Sequence, residues 1–221
     1  MNRSRPSRRG PGRPGAAAPS RAGGDEAASA PRIIGGDLRG RRLEFVPHGR
    51  TRPMKDRVRE TLFDLLGTAV RGAVALDLFA GTGALGFEAL SRGASRAILV
   101  ERHFPTADVL RKSARALGVA DRVEVRTGDV LLWARRLPDL PGDAPWVAFV
   151  SPPWEFFAPG HERRLELLAL VTALRRAAPA GSRFVVEADT AFAAADLPDA
   201  AAWDARPIAP ACLYLAAGLV S

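Results

Sequence analysis

The sequence predicts a doubly wound α/β domain built on a mainly parallel sheet, and three observations carry that reading. After Gly72 short apolar runs alternate with segments of helical period, the pattern of strands joined by crossover helices. The first of those runs ends in a glycine-rich turn, Gly81-Thr82-Gly83-Ala84-Leu85-Gly86, where a strand should give way to a helix. The chain has 221 residues, 47% hydrophobic and 25% charged, which suits one domain with some length left for tails.

Taken in order, residues 1–31 are rich in Gly, Pro, Ser, Ala and Arg and have no hydrophobic periodicity. Such a segment buries too little apolar surface to offset its ordering entropy, so a disordered basic arm is expected. Residues 32–70 read as a small extension. The stretch Arg32 to Val46, RIIGGDLRGRRLEFV, predicts a hairpin or two short strands, and Lys55 to Thr68 predicts a helix with Val58, Leu62, Leu65 and Leu66 on its apolar face. Residues 71–221 form the expected α/β domain. Strands are predicted at 73–78, 97–101, 122–126, 146–150 and 183–187, with helices at 83–92, 106–117, 130–137 and 162–177. In such a sheet ligands bind beyond the carboxyl ends of the strands, so the residues that follow each strand matter most.

Net charge is +8, and it is distributed unevenly. Residues 1–32 carry +5 and residues 33–60 carry +4, which leaves −1 for the rest. A basic excess confined to one end points to a polyanion such as nucleic acid. A mean hydropathy of −0.03 and the absence of a long apolar run exclude a membrane span. A single cysteine, Cys212, can form neither an internal disulfide nor a cysteine metal cluster, and with no apolar leader segment a cytoplasmic protein is expected. His48, His103 and His161 lack metal-ligand spacing, so no metal is expected.

The strand ends hold the candidate chemistry. Gly81, Gly83 and Gly86 fit G-x-G-x-x-G, a pattern that nicotinamide enzymes share. Asp77 precedes the loop, where a carboxylate would repel a pyrophosphate and attract the ammonium of a methionine moiety. Glu101 ends the second strand, where an acid can accept from two ribose hydroxyls, and Asp129 follows the third, where it can accept from an adenine amino group. Together with Phe79, Ala80, Thr82, Arg102 and Val130, these residues describe an S-adenosylmethionine site more naturally than an NAD site. The fourth strand ends in Ser151-Pro152-Pro153-Trp154, a rigid extended corner that offers acceptors for an amino group and an aromatic ring to stack on a flipped base. Each element has a plainer reading: Asp129 as a helix cap, the glycines as a tight turn, Trp154 as core.

These stretches resemble the RsmD-type bacterial 16S ribosomal RNA guanine-N2 methyltransferases. The likeness runs from Arg32 to about Leu215 and rests on Arg32-Ile33-Ile34-Gly35-Gly36 with Arg39-Gly40-Arg41, on Arg52-Pro53 with Asp56 to Phe63, and on LDLFAGTGALGFEALSR from Leu76 to Arg92. The resemblance implies a seven-stranded sheet with its last strands antiparallel, S-adenosylmethionine as donor, and an N-terminal extension that holds RNA. Arg39, Arg41, Arg42, Arg50, Arg52 and Arg57 would be its phosphate contacts. It also implies methyl transfer to N2 of a guanine in 16S rRNA of the small ribosomal subunit; the expected partner is the 16S rRNA or the assembled small subunit, and a monomer is expected. The family's fourth-strand motif usually begins with Asp or Asn and ends in Phe or Tyr; this chain has Ser151 and Trp154. Met54-Lys55 stands where the family usually carries Thr. Three rivals are a nicotinamide oxidoreductase, a methyltransferase-like RNA-binding protein that has lost catalysis, and a same-fold methyltransferase of DNA adenine or protein.

Overall fold

The computed structural model describes residue 1, residues 30–45 and residues 54–219. Most of the arm at 1–31, Arg50, Arg52 and His48 therefore lie outside the described residues. The predicted architecture is present: a seven-stranded sheet with helices on both faces. Its strands are β1 (Val74–Asp77), β2 (Arg96–Glu101), β3 (Val123–Thr127), β4 (Trp146–Val150), β5 (Arg183–Asp189), β6 (Asp204–Ile208) and β7 (Ala211–Ala217), in the order β3-β2-β1-β4-β5-β7-β6. The pairs β1–β2, β1–β4, β2–β3 and β4–β5 are parallel, and β7 runs antiparallel to β5 and β6.

The helices are α1 (Asp56–Leu66), α2 (Ala84–Ser91), α3 (Phe104–Leu117) and α4 (Arg164–Ala177). Val58, Leu62, Phe63 and Leu66 of α1 are buried as their spacing requires, but Leu65 is 40% exposed and Arg59 takes its place inside. The start of α3 lies two residues before the predicted Thr106, because Pro105 fits the first turn of a helix, where no N–H is needed. Between β3 and β4 a helix was expected over 130–137, and the chain forms only a 3-10 turn over Val130–Ala134. The Asp129 side chain caps that turn by accepting from Leu131 N–H, and Pro138 and Pro141 then bar its extension. Among the described residues no helix is long and apolar enough to cross a membrane, and no cluster of His, Cys, Asp or Glu could hold a metal ion.

The expected hairpin forms as a short antiparallel pairing bridged at Arg32 and Arg42. Ile33 N–H donates to the Arg41 carbonyl, Gly40 N–H to the Ile33 carbonyl and Leu43 N–H to the Pro31 carbonyl, while the donors near the turn reach α2. Ile34 and Gly35 N–H donate to the two oxygens of Glu88 at 2.7 and 2.8 Å, Leu38 N–H donates to Ser91 Oγ, and Asp37 N–H to the Ser91 carbonyl. Gly36, at φ +73°, lies so close to α2 that a Cβ would sit 1.8 Å from the Ser91 carbonyl oxygen. Glu88 is fully buried and also accepts from Arg92 Nε at 2.8 Å, with Arg59 Nε 3.8 Å away. The extension is thus docked on α2, every residue of which is buried. Two buried nitrogens of Arg59, Nε and Nη1, find no hydrogen-bond partner among the described residues, so the ion pairs with Asp56 at 2.9 Å and with Glu88 must offset part of the guanidinium's desolvation.

Candidate active site

The strand order reverses direction at β1 and β4, so the crevice between their carboxyl ends is the topological switch point of the sheet. The register pairs Asp77 with Phe149 and Asp77 with Leu99, which brings the ends of β1, β2 and β4 level. Along this edge the structure gathers the glycine loop, Glu101, Asp129 and the Ser151 to Trp154 corner.

The loop after β1 is held tightly. Ala80 N–H donates to the Val100 carbonyl, Gly83 N–H to the Ala80 carbonyl, and Gly81 N–H to Glu101 Oε2 at 2.9 Å. Gly83 is in the left-handed region at φ +75°, and a Cβ there would lie 2.7 Å from Leu110 and the Phe87 ring. Gly86 meets a different demand. A Cβ at this position would lie 2.2 Å from Leu99 Cδ2, so only glycine lets α2 pack this close to the sheet.

Asp77 is where the sequence places it, but its carboxylate is buried, 2% exposed, and Oδ2 accepts from Gly86 N–H at 3.0 Å. Burial is the main reason its pKa rises to about 7; the Gly86 hydrogen bond opposes the rise and the Glu101 charge adds to it. The group braces the start of α2 as well as projecting a field into the loop. Glu101 is part-buried, with Oε1 accepting from His103 N–H and Oε2 from Gly81 N–H, so each oxygen keeps a further acceptor position. Asp129 is more committed than its position in the sequence implies. It caps the 3-10 turn through Oδ1, and Oδ2 accepts from Arg163 Nη2 at 2.6 Å. Val130 is buried beneath it, Arg102 is exposed, and Phe79 packs against the core cluster around β1 and β4.

On the other side, Pro152 is buried and Pro153 adopts φ −50°, ψ 128°, an extended corner. The Pro153 carbonyl accepts from Phe156 N–H, whereas among the described residues no backbone N–H donates to the Pro152 carbonyl. Trp154 is partly buried against the cluster that contains Phe63 and Phe149, as is Met54. The plainer reading of Trp154 as packing thus accounts for part of its surface. Ser151 Oγ donates to Glu187 Oε2 on the neighbouring strand β5. Arg39, Arg41, Arg42 and Arg57 are exposed on the extension and α1, with Arg41 Nη2 also donating to the Ala116 carbonyl.

Sequence reasoning missed Glu187, Arg163 and Glu88. Glu187 was legible as the last residue of the predicted fifth strand, but its partner at 151 emerges only from strand register. Arg163 precedes α4 in sequence and reaches Asp129 across 34 positions.

A parallel sheet with a reversed last pair, a glycine loop after β1 and acids after β2 and β3 define a Rossmann-like domain of the methyltransferase class. The family model described as conserved hypothetical protein 95 matches residues 31–198, and the chain belongs to that family, the RsmD family. Ribosomal RNA small subunit methyltransferase D of Escherichia coli K12 is 40% identical over 123 residues, 56% of this chain and 60% of that protein. The chain spans 53% to 64% of the length of the curated relatives it matches. The solved structure of yhhF from Escherichia coli superposes with a TM-score of 0.65 at 30% identity, covering 86% of this chain and all of that one. An RNA methyltransferase from Salinibacter ruber, solved with S-adenosyl-L-homocysteine, shares the fold at 20% identity and a TM-score of 0.54, covering 77% of this chain and 97% of that one.

Proposed function

We propose that the protein transfers a methyl group from S-adenosylmethionine to the exocyclic N2 of a guanine in 16S rRNA, as free RNA or in the small subunit, acting as a cytoplasmic monomer. The observation that carries the reading is the alignment on one sheet edge of the Gly81–Gly83 loop, Glu101 and the Pro152 carbonyl beside Ser151. The donor set fits the cofactor. The unused acceptor positions of Glu101 suit a vicinal diol, the loop at Gly81, Thr82 and Gly83 lets a ligand approach its backbone, and Asp77 supplies negative charge for an ammonium. Arg102, Asp129 and Val130 would border the base, with Asp129 sharing its carboxylate between Arg163 and the adenine.

When bound, the cofactor supplies an electrophilic methyl group on a sulfonium. The chain itself has to hold and orient an amino group. The Pro152 carbonyl and Ser151 oxygen accept its two N–H groups, which turns the nitrogen lone pair toward the donor, and Trp154 presents the exposed part of its ring to the base. No nucleophilic side chain is required, because orientation and fixed dipoles supply the rate. The exposed Arg39, Arg41, Arg42 and Arg57, with Arg50 and Arg52 between them in sequence, would neutralise phosphates of the RNA.

Ser151 favours a second reading, an RNA-binding relative with weakened catalysis. A hydroxyl in place of a charged acceptor would by itself slow transfer about 10- to 100-fold. Transfer of labelled methyl from S-adenosylmethionine into unmodified small subunits or 16S RNA decides between the two. Incorporation supports the enzyme; cofactor and RNA binding without incorporation supports the second reading.

A further inference from the structure

The register of β4 and β5 pairs Val150 with Val186, so Ser151, the first residue beyond β4, comes to lie beside Glu187, which is still within β5 and pairs with Leu213 of β7. Their side chains are hydrogen bonded, with the Ser151 hydroxyl donating to Glu187 Oε2. Both are part-buried, and Ser151 is the hydrogen-bond partner of the Glu187 side chain among the described residues. The pair stands beside the Pro152 carbonyl, at the corner read above as the acceptor of the target amino group. Because the hydroxyl proton is spent on Glu187, the lone pairs of Ser151 Oγ are left to accept from the opposite side. A carboxylate behind a hydroxyl also polarises it and strengthens it as an acceptor.

We propose that Glu187 is a positioning residue that acts through Ser151, the two together forming a split acceptor that does the work of a single acidic side chain at position 151. The inference rests on the functional reading above. The Glu187 carboxylate holds the Ser151 rotamer and supplies the negative charge that a serine lacks. It also gives a destination for the proton the amino group sheds: that proton passes to Ser151 Oγ as the hydroxyl proton passes to Glu187, leaving a neutral serine and a neutral carboxylic acid. Burial raises the Glu187 pKa and the Ser151 hydrogen bond lowers it, so the ionised form depends on the serine.

The test compares methyl transfer to unmodified small subunits by the wild-type protein and by Ser151→Ala, Glu187→Gln, the double variant of these two, and Ser151→Asp/Glu187→Gln. Calorimetry with S-adenosylmethionine checks that the site is intact. Each single change should lower kcat about 10- to 100-fold with cofactor affinity unchanged, and the double variant should be no worse than either single one. Ser151→Asp/Glu187→Gln, which moves the charge to position 151, should recover most of the lost rate. In the protein without cofactor, carbon-detected NMR should show the Glu187 carboxyl titrating at higher pH in Ser151→Ala than in wild type. Glu187→Gln within twofold of wild type, losses that multiply in the double variant, or a Glu187 titration indifferent to Ser151 would each overturn the proposal. If the wild-type protein binds the cofactor but transfers nothing, the functional reading itself fails and this proposal with it. Should Glu187→Gln not fold, Ser151→Ala and the NMR titration test the same link from the other partner.

Discussion

Replacing Asp77 by Asn should make the cofactor-free protein more stable and its cofactor site worse. The Asp77 carboxyl is buried and titrates near 7, against 3.8 for an ordinary aspartate. A raised pKa in the fold means that the proton is bound more tightly there than in the unfolded chain, so this group's contribution is fully present at low pH and is lost as pH rises through 7. Over the 3.2 pH units separating the two values the loss amounts to about 4 kcal/mol at pH 8 and about 2 kcal/mol at pH 5. Asn keeps an oxygen for Gly86 N–H and never ionises. Denaturant unfolding of Asp77→Asn should therefore show a gain approaching 4 kcal/mol at pH 8 that shrinks toward zero below pH 4. Calorimetry at pH 8 should show weaker binding of S-adenosylmethionine, because the negative charge facing its ammonium is gone. The same charge should make wild-type affinity rise with pH up to about 7, above which the ammonium begins to lose its own proton and the gain ends. Equal stability of the two proteins at pH 8, with parallel pH profiles, would refute the reasoning.

Glu88→Ala should cost about 3–5 kcal/mol, since it leaves the Ile34 and Gly35 amides without their buried acceptor and removes one of the two carboxylates that face the buried Arg59, which keeps Asp56; urea titration measures it. Gly36→Ala should destabilise by more than about 2 kcal/mol, because the new methyl meets the Ser91 carbonyl at a positive φ, and loosened protection of the Ile34 and Gly35 amides in hydrogen exchange should accompany the loss. Removing Arg39, Arg42 and Arg57 together should reduce the slope of log affinity for 16S RNA against log salt by about three, with cofactor affinity unchanged. Deleting residues 1–29, which spares the Pro31 carbonyl that accepts from Leu43, should weaken RNA binding and flatten the same slope; an unaltered slope would assign the arginines of the arm to composition alone.

The elements legible in the sequence are those in which local pattern and tertiary environment agree. The strand Trp146–Val150 falls on its predicted residues because five consecutive apolar side chains, all buried, leave no other assignment. β6 has no such signature: four of its five residues are exposed, and Pro207 is tolerated only because the strand lies at the sheet edge. The family likeness supplied the last antiparallel strands where periodicity could not. The hairpin predicted at Arg32 to Val46 is present but short, because the Ile34, Gly35 and Leu38 amides between its two arms are satisfied by Glu88 and Ser91, more than 50 positions away. At the site, the order of glycines and acids along the chain marked the sheet edge, since ligands gather where parallel strands end. Which groups face one another across it depends on register and side-chain reach. That is why Asp129 proves to share its carboxylate with Arg163, and why the Ser151 hydroxyl donates to Glu187.

The central claim is tested most directly by identifying the nucleoside that the protein modifies. Small subunits lacking the modification would be incubated with the protein and labelled S-adenosylmethionine, the 16S rRNA digested, and the labelled nucleoside identified by mass spectrometry. A single N2-methylguanosine is the predicted result. Label in N6-methyladenosine or in protein, or none from a protein shown to bind the cofactor, would contradict it.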